Sequence, residues 1–230
     1  MSDSGVLVER LNPQPLVTPA ATADVQHLCA SDEDGAPELG AVLTAHPAAA
    51  TLLAGIAAGS TFLWRLVMRD PGRAARLLTC RPETRIAEIC AEARAVATVE
   101  VEADAMRLLR NLRAEAALLI AMCDLGGVWS VDQVVEALSE FADASVQGAF
   151  AYALGIQIGR GQLAPEDEAD PTRGLGMFIL ALGKHGAREL NYSSDIDLTV
   201  FFNPEAAAFA PAKDAQDLAI RMIKTLVKLL

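Results

Sequence analysis

Basic residues are in short supply: 19 Lys and Arg stand against 30 Asp and Glu, a formal net charge of −11. Proteins that grip nucleic acid need a basic footprint to neutralise phosphates, so this balance argues against DNA or RNA as a partner. Cysteine is sparse and unpatterned. Cys29, Cys80, Cys90 and Cys123 form no C-x-x-C pair, which points to reduced thiols packed as small apolar residues rather than to a disulfide framework or a zinc site. No apolar leader is visible, because the first residues carry Asp3, Glu9 and Arg10. Secretion is therefore not expected, and a cytoplasmic protein is. Repeats and heptads are missing too. The one long run without formal charge, Ala41 to Trp64, could span a bilayer by length, but it is rich in Ala and Gly and broken by His46, Pro47, Thr51, Ser60 and Thr61. It reads as a buried helix to about Gly59 followed by a new helix capped at Ser60 or Thr61, and no membrane partner is expected.

Helical spacing dominates the first two thirds of the 230 residues. From Pro82 to Leu125 apolar residues recur at helical intervals: Ile86, Ile89, Cys90 and Ala93, then Leu108, Leu109, Leu112, Ala116, Leu119 and Ile120. Gly126 and Gly127 stop the pattern. Ser130 followed by Gln133 fits a capping box that opens another helix, burying Val134, Val135, Leu138 and Phe141 and running towards Ile158. Trp64 and Trp129 read as core or helix-junction anchors. Residues 159–173, with their glycines, Pro165, Pro171 and the acidic run Glu166, Asp167 and Glu168, read as a solvated linker. The predicted organisation is a poorly ordered or irregular segment over 1–40, a helical region over 41–158, the linker over 159–173, and a further segment over 174–230.

In that last segment, Asp195 and Asp197 stand two apart in the run Ser193-Ser194-Asp195-Ile196-Asp197-Leu198-Thr199-Val200-Phe201-Phe202, which reads as a buried strand. Strand side chains alternate, so both carboxylates project to one side about 6–7 Å apart, with Ile196, Leu198, Val200 and Phe202 on the other. Such a pair is costly near a core unless a cation neutralises it, and converging oxygens suit Mg²⁺ carrying substrate phosphates. Upstream, Gly176 to Leu182 is a second apolar strand candidate. It runs into Gly183-Lys184-His185-Gly186-Ala187-Arg188, where a glycine turn lets backbone approach a ligand and Lys184 and Arg188 can meet phosphate oxygens. This is not a Walker A loop: no Gly lies five positions before Gly183, and His185 stands where Ser or Thr must bind Mg²⁺.

The string from Ala181 to Leu198, Ala-Leu-Gly-Lys-His-Gly-Ala-Arg-Glu-Leu-Asn-Tyr-Ser-Ser-Asp-Ile-Asp-Leu, resembles the signature of the glutamine synthetase adenylyltransferase family, bifunctional adenylyl-transferring and adenylyl-removing enzymes within the polymerase-β-like nucleotidyltransferases. His185 and Ala187 depart from the family pattern, which usually has Leu and Gly there. Ser60 to Leu66 with Asp70-Pro71, and Leu108 to Arg113 through Asp124 to Gly127, resemble earlier helical motifs of the same family.

The resemblance implies a mostly helical α+β fold: a helical amino-terminal region followed by the start of a nucleotidyltransferase-type mixed sheet, truncated. Asp195 and Asp197 would be catalytic and hold Mg²⁺, with Gly183, Lys184, Arg188, Ser193 and Ser194 at the nucleotide or phosphate. By position the chain matches the removing half, in which phosphate attacks the AMP-tyrosine bond of adenylylated glutamine synthetase and ADP leaves. Implied partners are glutamine synthetase, ATP, ADP, phosphate and, for the longer enzyme, a PII-type signalling protein. An amphipathic helix from Asp214 to Leu230 closes the chain, and the family's third carboxylate, on a later strand, does not follow. The expectation is an amino-terminal piece of a longer enzyme, inactive alone. The alternatives are a small-molecule nucleotidyltransferase and a non-catalytic helical fragment that only binds a partner.

Overall fold

A computed structural model describes residues 5–167 and 169–230; the expectations resting on Asp3 and Glu168 lie outside them. The helices are α1 (Leu7–Arg10), α2 (Pro19–Cys29), α3 (Ala36–Ala45), α4 (Pro47–Gly59), α5 (Thr61–Arg69), α6 (Pro71–Thr79), α7 (Pro82–Arg94), α8 (Glu102–Leu125) and α9 (Val131–Gly159). Strand β1 (Met177–Leu182), the single turn α10 (Gly183–Gly186), strand β2 (Asp197–Phe202) and α11 (Ala215–Leu229) follow. The fold is the expected one, mostly helical with a small sheet after the helices.

Local chemistry explains the starts of these helices. Proline opens α2, α4, α6 and α7, where its missing N–H would have had no intrahelical partner anyway. Side-chain caps do the rest: Thr18 accepts from the Ala21 amide at 3.2 Å, Ser60 from Leu63 at 3.2 Å and Asp70 from Arg73 at 2.7 Å. Ser130 and Gln133 form the reciprocal box read from the sequence.

Three expectations need correction. Residues 1–40 are not irregular throughout, since α1, α2 and the start of α3 lie there; capping by Thr18 and Pro19 outweighs a weakly amphipathic pattern. The uncharged run is not one helix to Gly59. It breaks at His46, whose backbone stands at φ −130° and ψ 87°, because a following proline excludes the α conformation. Likewise the run from Pro82 to Leu125 is interrupted by a 3₁₀ turn at Ala95–Thr98 and an extended Val99, where β-branched residues disfavour continuing the helix.

The chain forms two compact units: described residues up to Ile89 with Ala114–Leu138, and Cys90–Arg113 with Ser139–Leu230. The division falls within α7, α8 and α9, and residues 159–173 belong to the second unit. In the first unit, Leu39, Leu52, Leu53, Leu78, Leu118 and Ile120 are wholly buried, each worth about 1.5–3 kcal/mol against exposure. Close backbone approach matters at Gly35, at φ 80°, where a Cβ would stand 2.3 Å from the Gly72 amide. Glu83 ties the unit together by accepting from Trp129 Nε1 at 2.8 Å and from Arg10 at 2.8 Å. Burial alone would raise the Glu83 carboxyl, but those two hydrogen bonds outweigh it and hold it below the usual carboxylate range.

In the second unit, α9 buries Ala144, Ala149, Ala153 and Leu154, and α11 buries Leu218, Met222, Leu226 and Leu229. Asp214 caps α11 by accepting from the Asp217 amide at 2.9 Å. Strands β1 and β2 pair antiparallel, from Met177 opposite Phe202 to Leu182 opposite Asp197. Directly opposed residues share a face. Phe178, Leu180 and Leu182 therefore lie with Phe201, Thr199 and Asp197, while Ile179 and Ala181 lie with Leu198 and Val200 on the other side. The Phe202 ring leans on Phe209, centroids 5.9 Å apart.

Candidate active site

The β1–β2 pairing brings the glycine turn to the aspartates. Leu182 is paired with Asp197, so Gly183, the next residue, leaves the sheet beside that carboxylate. Gly183 has φ 57°, and a Cβ there would stand 2.9 Å from Asp197 Oδ2. Glycine satisfies both demands, since other residues pay for the left-handed region and bring an atom into the carboxylate's space.

Asp195 does not lie in a strand. Strand β2 begins at Asp197, and Asn191 organises the connector before it. Asn191 Oδ1 accepts from the Ser193 amide at 3.0 Å, the Ser193 hydroxyl at 3.2 Å and the Ser194 hydroxyl at 2.9 Å. An Asx turn of this kind competes with extended backbone, which is why the strand starts later than the β-branched pattern suggests. Both aspartates are exposed while Ile196 and Leu198 are half-buried, keeping the alternation that sets the two carboxylates to one side. Lys184 is exposed as well. Among the described residues, neither carboxylate nor the Lys184 ammonium has a hydrogen bond or ion pair.

Arg188 behaves differently from Lys184. Its Nη1 donates to Asp143 Oδ2 at 2.8 Å and its Nη2 to Glu140 Oε2 at 3.3 Å, so the structure engages this guanidinium with α9. Its backbone is left-handed at φ 57°, a conformation costing about 1–2 kcal/mol for a residue with a Cβ. His185, which the sequence offers no partner, is 3% exposed and sets Nε2 2.8 Å from Asp143 Oδ1. Because a carboxylate only accepts, Nε2 carries the proton. Nδ1 is buried without a hydrogen-bond partner among the described residues.

Asp143 and Glu140 are the residues that sequence reading missed. A signal was present: they are the last charges before sixteen uncharged residues, from Ala144 to Gly159, on a helix of small apolar side chains. At the opposite end of the hairpin from Asp197, an open groove of about 520 Å³ is lined by Thr172, Leu175, Phe178, Phe201 and Asn203. Phe178 and Phe201 stack across the strands with centroids 5.3 Å apart.

Hard carboxylate oxygens suit Mg²⁺, which commonly takes one or two carboxylates and completes its shell with water and phosphate. Asp195 and Asp197 fit that role, and among the described residues no group of three His, Cys, Asp or Glu side chains converges to make a fuller protein cage. No described helix is long and apolar enough to cross a membrane.

Residues 50–230 match the family described as glutamate-ammonia ligase adenylyltransferase. The chain is 48% identical over 189 residues to a bifunctional glutamine synthetase adenylyltransferase/adenylyl-removing enzyme of Bradyrhizobium diazoefficiens, covering 82% of this chain and 19% of the relative. A Xanthobacter autotrophicus protein of the same name is 41% identical over 219 residues, covering 94% of this chain and 22% of the relative. The chain thus spans about a fifth of the length of the curated relatives it matches. With the Gly183 turn and the paired aspartates inside the matched region, the chain belongs to the glutamate-ammonia ligase adenylyltransferase family.

Proposed function

We propose that this chain carries part of an adenylyl-removing site acting on adenylylated glutamine synthetase, with Asp195 and Asp197 as its carboxylate pair. The observation that supports this most is the placement of Gly183 against Asp197, where a Cβ would stand 2.9 Å from Oδ2. Asp195 and Asp197 would hold Mg²⁺, and Lys184 with the amides around Gly183 meets phosphate oxygens. Mg²⁺ held there would supply charge stabilisation at the phosphorus. A phosphate oxygen attacks the phosphorus of the AMP-tyrosine bond, the bond to the tyrosine oxygen breaks, that oxygen takes up a proton, and ADP leaves. Catalysis of this kind is positioning and electrostatics rather than covalent chemistry by the protein. Ser193 and Ser194 shape the connector and are available to the phosphate through exposed edges.

The family also names the reverse modification, so ATP and a PII-type signalling protein belong to this reading as partners of the complete enzyme. Four free thiols suit a reducing cytoplasm. Because the chain spans about a fifth of the length of the curated relatives it matches, it turns over little or nothing by itself. The test uses protein expressed from the complete reading frame that encodes this chain, with phosphate-dependent release of ADP from adenylylated glutamine synthetase as readout. Asp195→Asn and Asp197→Asn each remove most of the turnover. ADP release by the double variant at the parent rate would sink the assignment; activity on a small-molecule substrate but not on glutamine synthetase would favour a small-molecule nucleotidyltransferase.

A further inference from the structure

The turn from Gly183 to Arg188 puts exposed groups beside Asp197, and its hold on the rest of the second unit runs through His185 and Arg188. Both side chains end on one carboxylate. His185 Nε2 lies 2.8 Å from Asp143 Oδ1, and Arg188 Nη1 donates to Asp143 Oδ2 at 2.8 Å. Glu140 stands three positions earlier on α9, hence on the same helix face. It accepts from Arg188 Nη2 at 3.3 Å and pairs with Arg94 of α7. His185 is 3% exposed, too enclosed to meet a substrate directly. Arg188 holds a left-handed backbone at φ 57°, and strain of that sort persists only where the surroundings over-determine it. Two carboxylates on one helix face provide that constraint, and Leu190, 4% exposed, pins the far side of the turn.

We propose that Asp143 is a positioning residue for the phosphate-facing turn. It grips His185 and Arg188 with its two oxygens and so sets where the Gly183 backbone and Lys184 stand relative to Asp197. Arg188 serves this clamp, with Glu140 as its second anchor. The inference rests on the functional reading above, because the turn matters to catalysis only if Gly183 and Lys184 meet phosphate. A carboxylate that only stabilised α9 would lower the amount of folded protein without altering how the folded protein meets phosphate. Small displacements of positioning groups, by contrast, weaken the interactions of the reacting group selectively.

The test is steady-state kinetics of protein from the complete reading frame, with inorganic phosphate and adenylylated glutamine synthetase varied separately. Asp143→Asn raises KM for phosphate about tenfold while KM for the protein substrate stays within about twofold. Arg188→Gly gives the same split; glycine accepts φ 57°, so this variant carries the test should Asp143→Asn fail to fold. Arg188→Lys, which keeps a cation facing Asp143, recovers part of the loss seen in Arg188→Gly. The proposal is overturned if any folded variant of the two, Asp143→Asn or Arg188→Gly, keeps phosphate KM within about twofold of the parent, or if the two KM values rise together. Asp197→Asn run alongside separates the two ideas. Full turnover in that variant defeats the active-site reading, whereas its loss together with an unmoved phosphate KM in the clamp variants defeats only the clamp.

Discussion

The core of the first unit and the β1–β2 face of the second treat charge in opposite ways. In the first, Glu83 is closed off by Arg10 and Trp129, and Arg85 by Glu88 and Glu115 at 3.0 and 2.8 Å, around a fully buried leucine core. In the second, Asp195, Asp197 and Lys184 stay exposed and, among the described residues, unpaired, while Phe178, Leu180, Leu182 and Phe201 are each 45% exposed or more. Folding energy favours satisfying polar groups and burying apolar ones. A region that does neither is organised for something other than its own stability, and here that region is the face carrying the paired aspartates. The clamp of Asp143, Glu140, His185 and Arg188 shows that the second unit can satisfy charge where geometry calls for it.

This contrast can be broken most directly at Asp197. Asp197→Asn in the complete reading frame should cost about a thousandfold in ADP release, roughly 4 kcal/mol of transition-state stabilisation. Its unfolding free energy should stay within about 0.5 kcal/mol of the parent, because an exposed, unpaired carboxylate supports no fold. Chemical denaturation beside the kinetic assay checks both halves, and parallel losses would erase the distinction between the units. In the first unit the expectation reverses. Leu53 is 0% exposed, so Leu53→Ala should lose about 2–5 kcal/mol of stability. Turnover per folded molecule should be kept.

Gly183→Ala tests the border between the two behaviours. A Cβ at φ 57°, 2.9 Å from Asp197 Oδ2, should cost about 1–2 kcal/mol in stability. Activity should fall by more than that loss explains, since the Asp197 carboxylate must shift. The smallest effect is a pH dependence. Glu83 is held below the usual carboxylate range in the folded protein, so its contribution is fully present above the unfolded carboxylate's pKa and fades as pH falls through the lower folded value. Thermal unfolding of Glu83→Gln should accordingly flatten the acid-side decline of the melting midpoint, and an unchanged slope would remove Glu83 from the account. Cys123, by comparison, should resist thiol-labelling reagents while the fold is intact, since burial raises its pKa strongly.

Local rules on the page of the sequence settled a good deal of this molecule. Caps at Ser60 and Ser130, apolar spacing in α8, α9 and α11, and the alternation around Asp197 follow from nearest-neighbour chemistry that needs no tertiary partner. Boundaries failed where one local preference overrode another. Pro47 split an uncharged helix, and Asn191 delayed a strand that β-branched residues would have begun at Ser193. The grip of α9 on the turn was beyond any such reading, because Asp143 lies 42 residues from His185 and 45 from Arg188. The sequence by itself determined the helical character of the chain beyond residue 40, the two short apolar strands in outline and the pair of aspartates, for these depend on residues a few positions apart. Only the tertiary structure decided that Gly183 meets Asp197 and that Arg188 turns to Asp143, because long-range side-chain pairing is fixed by how distant segments pack and leaves no periodic trace in the chain.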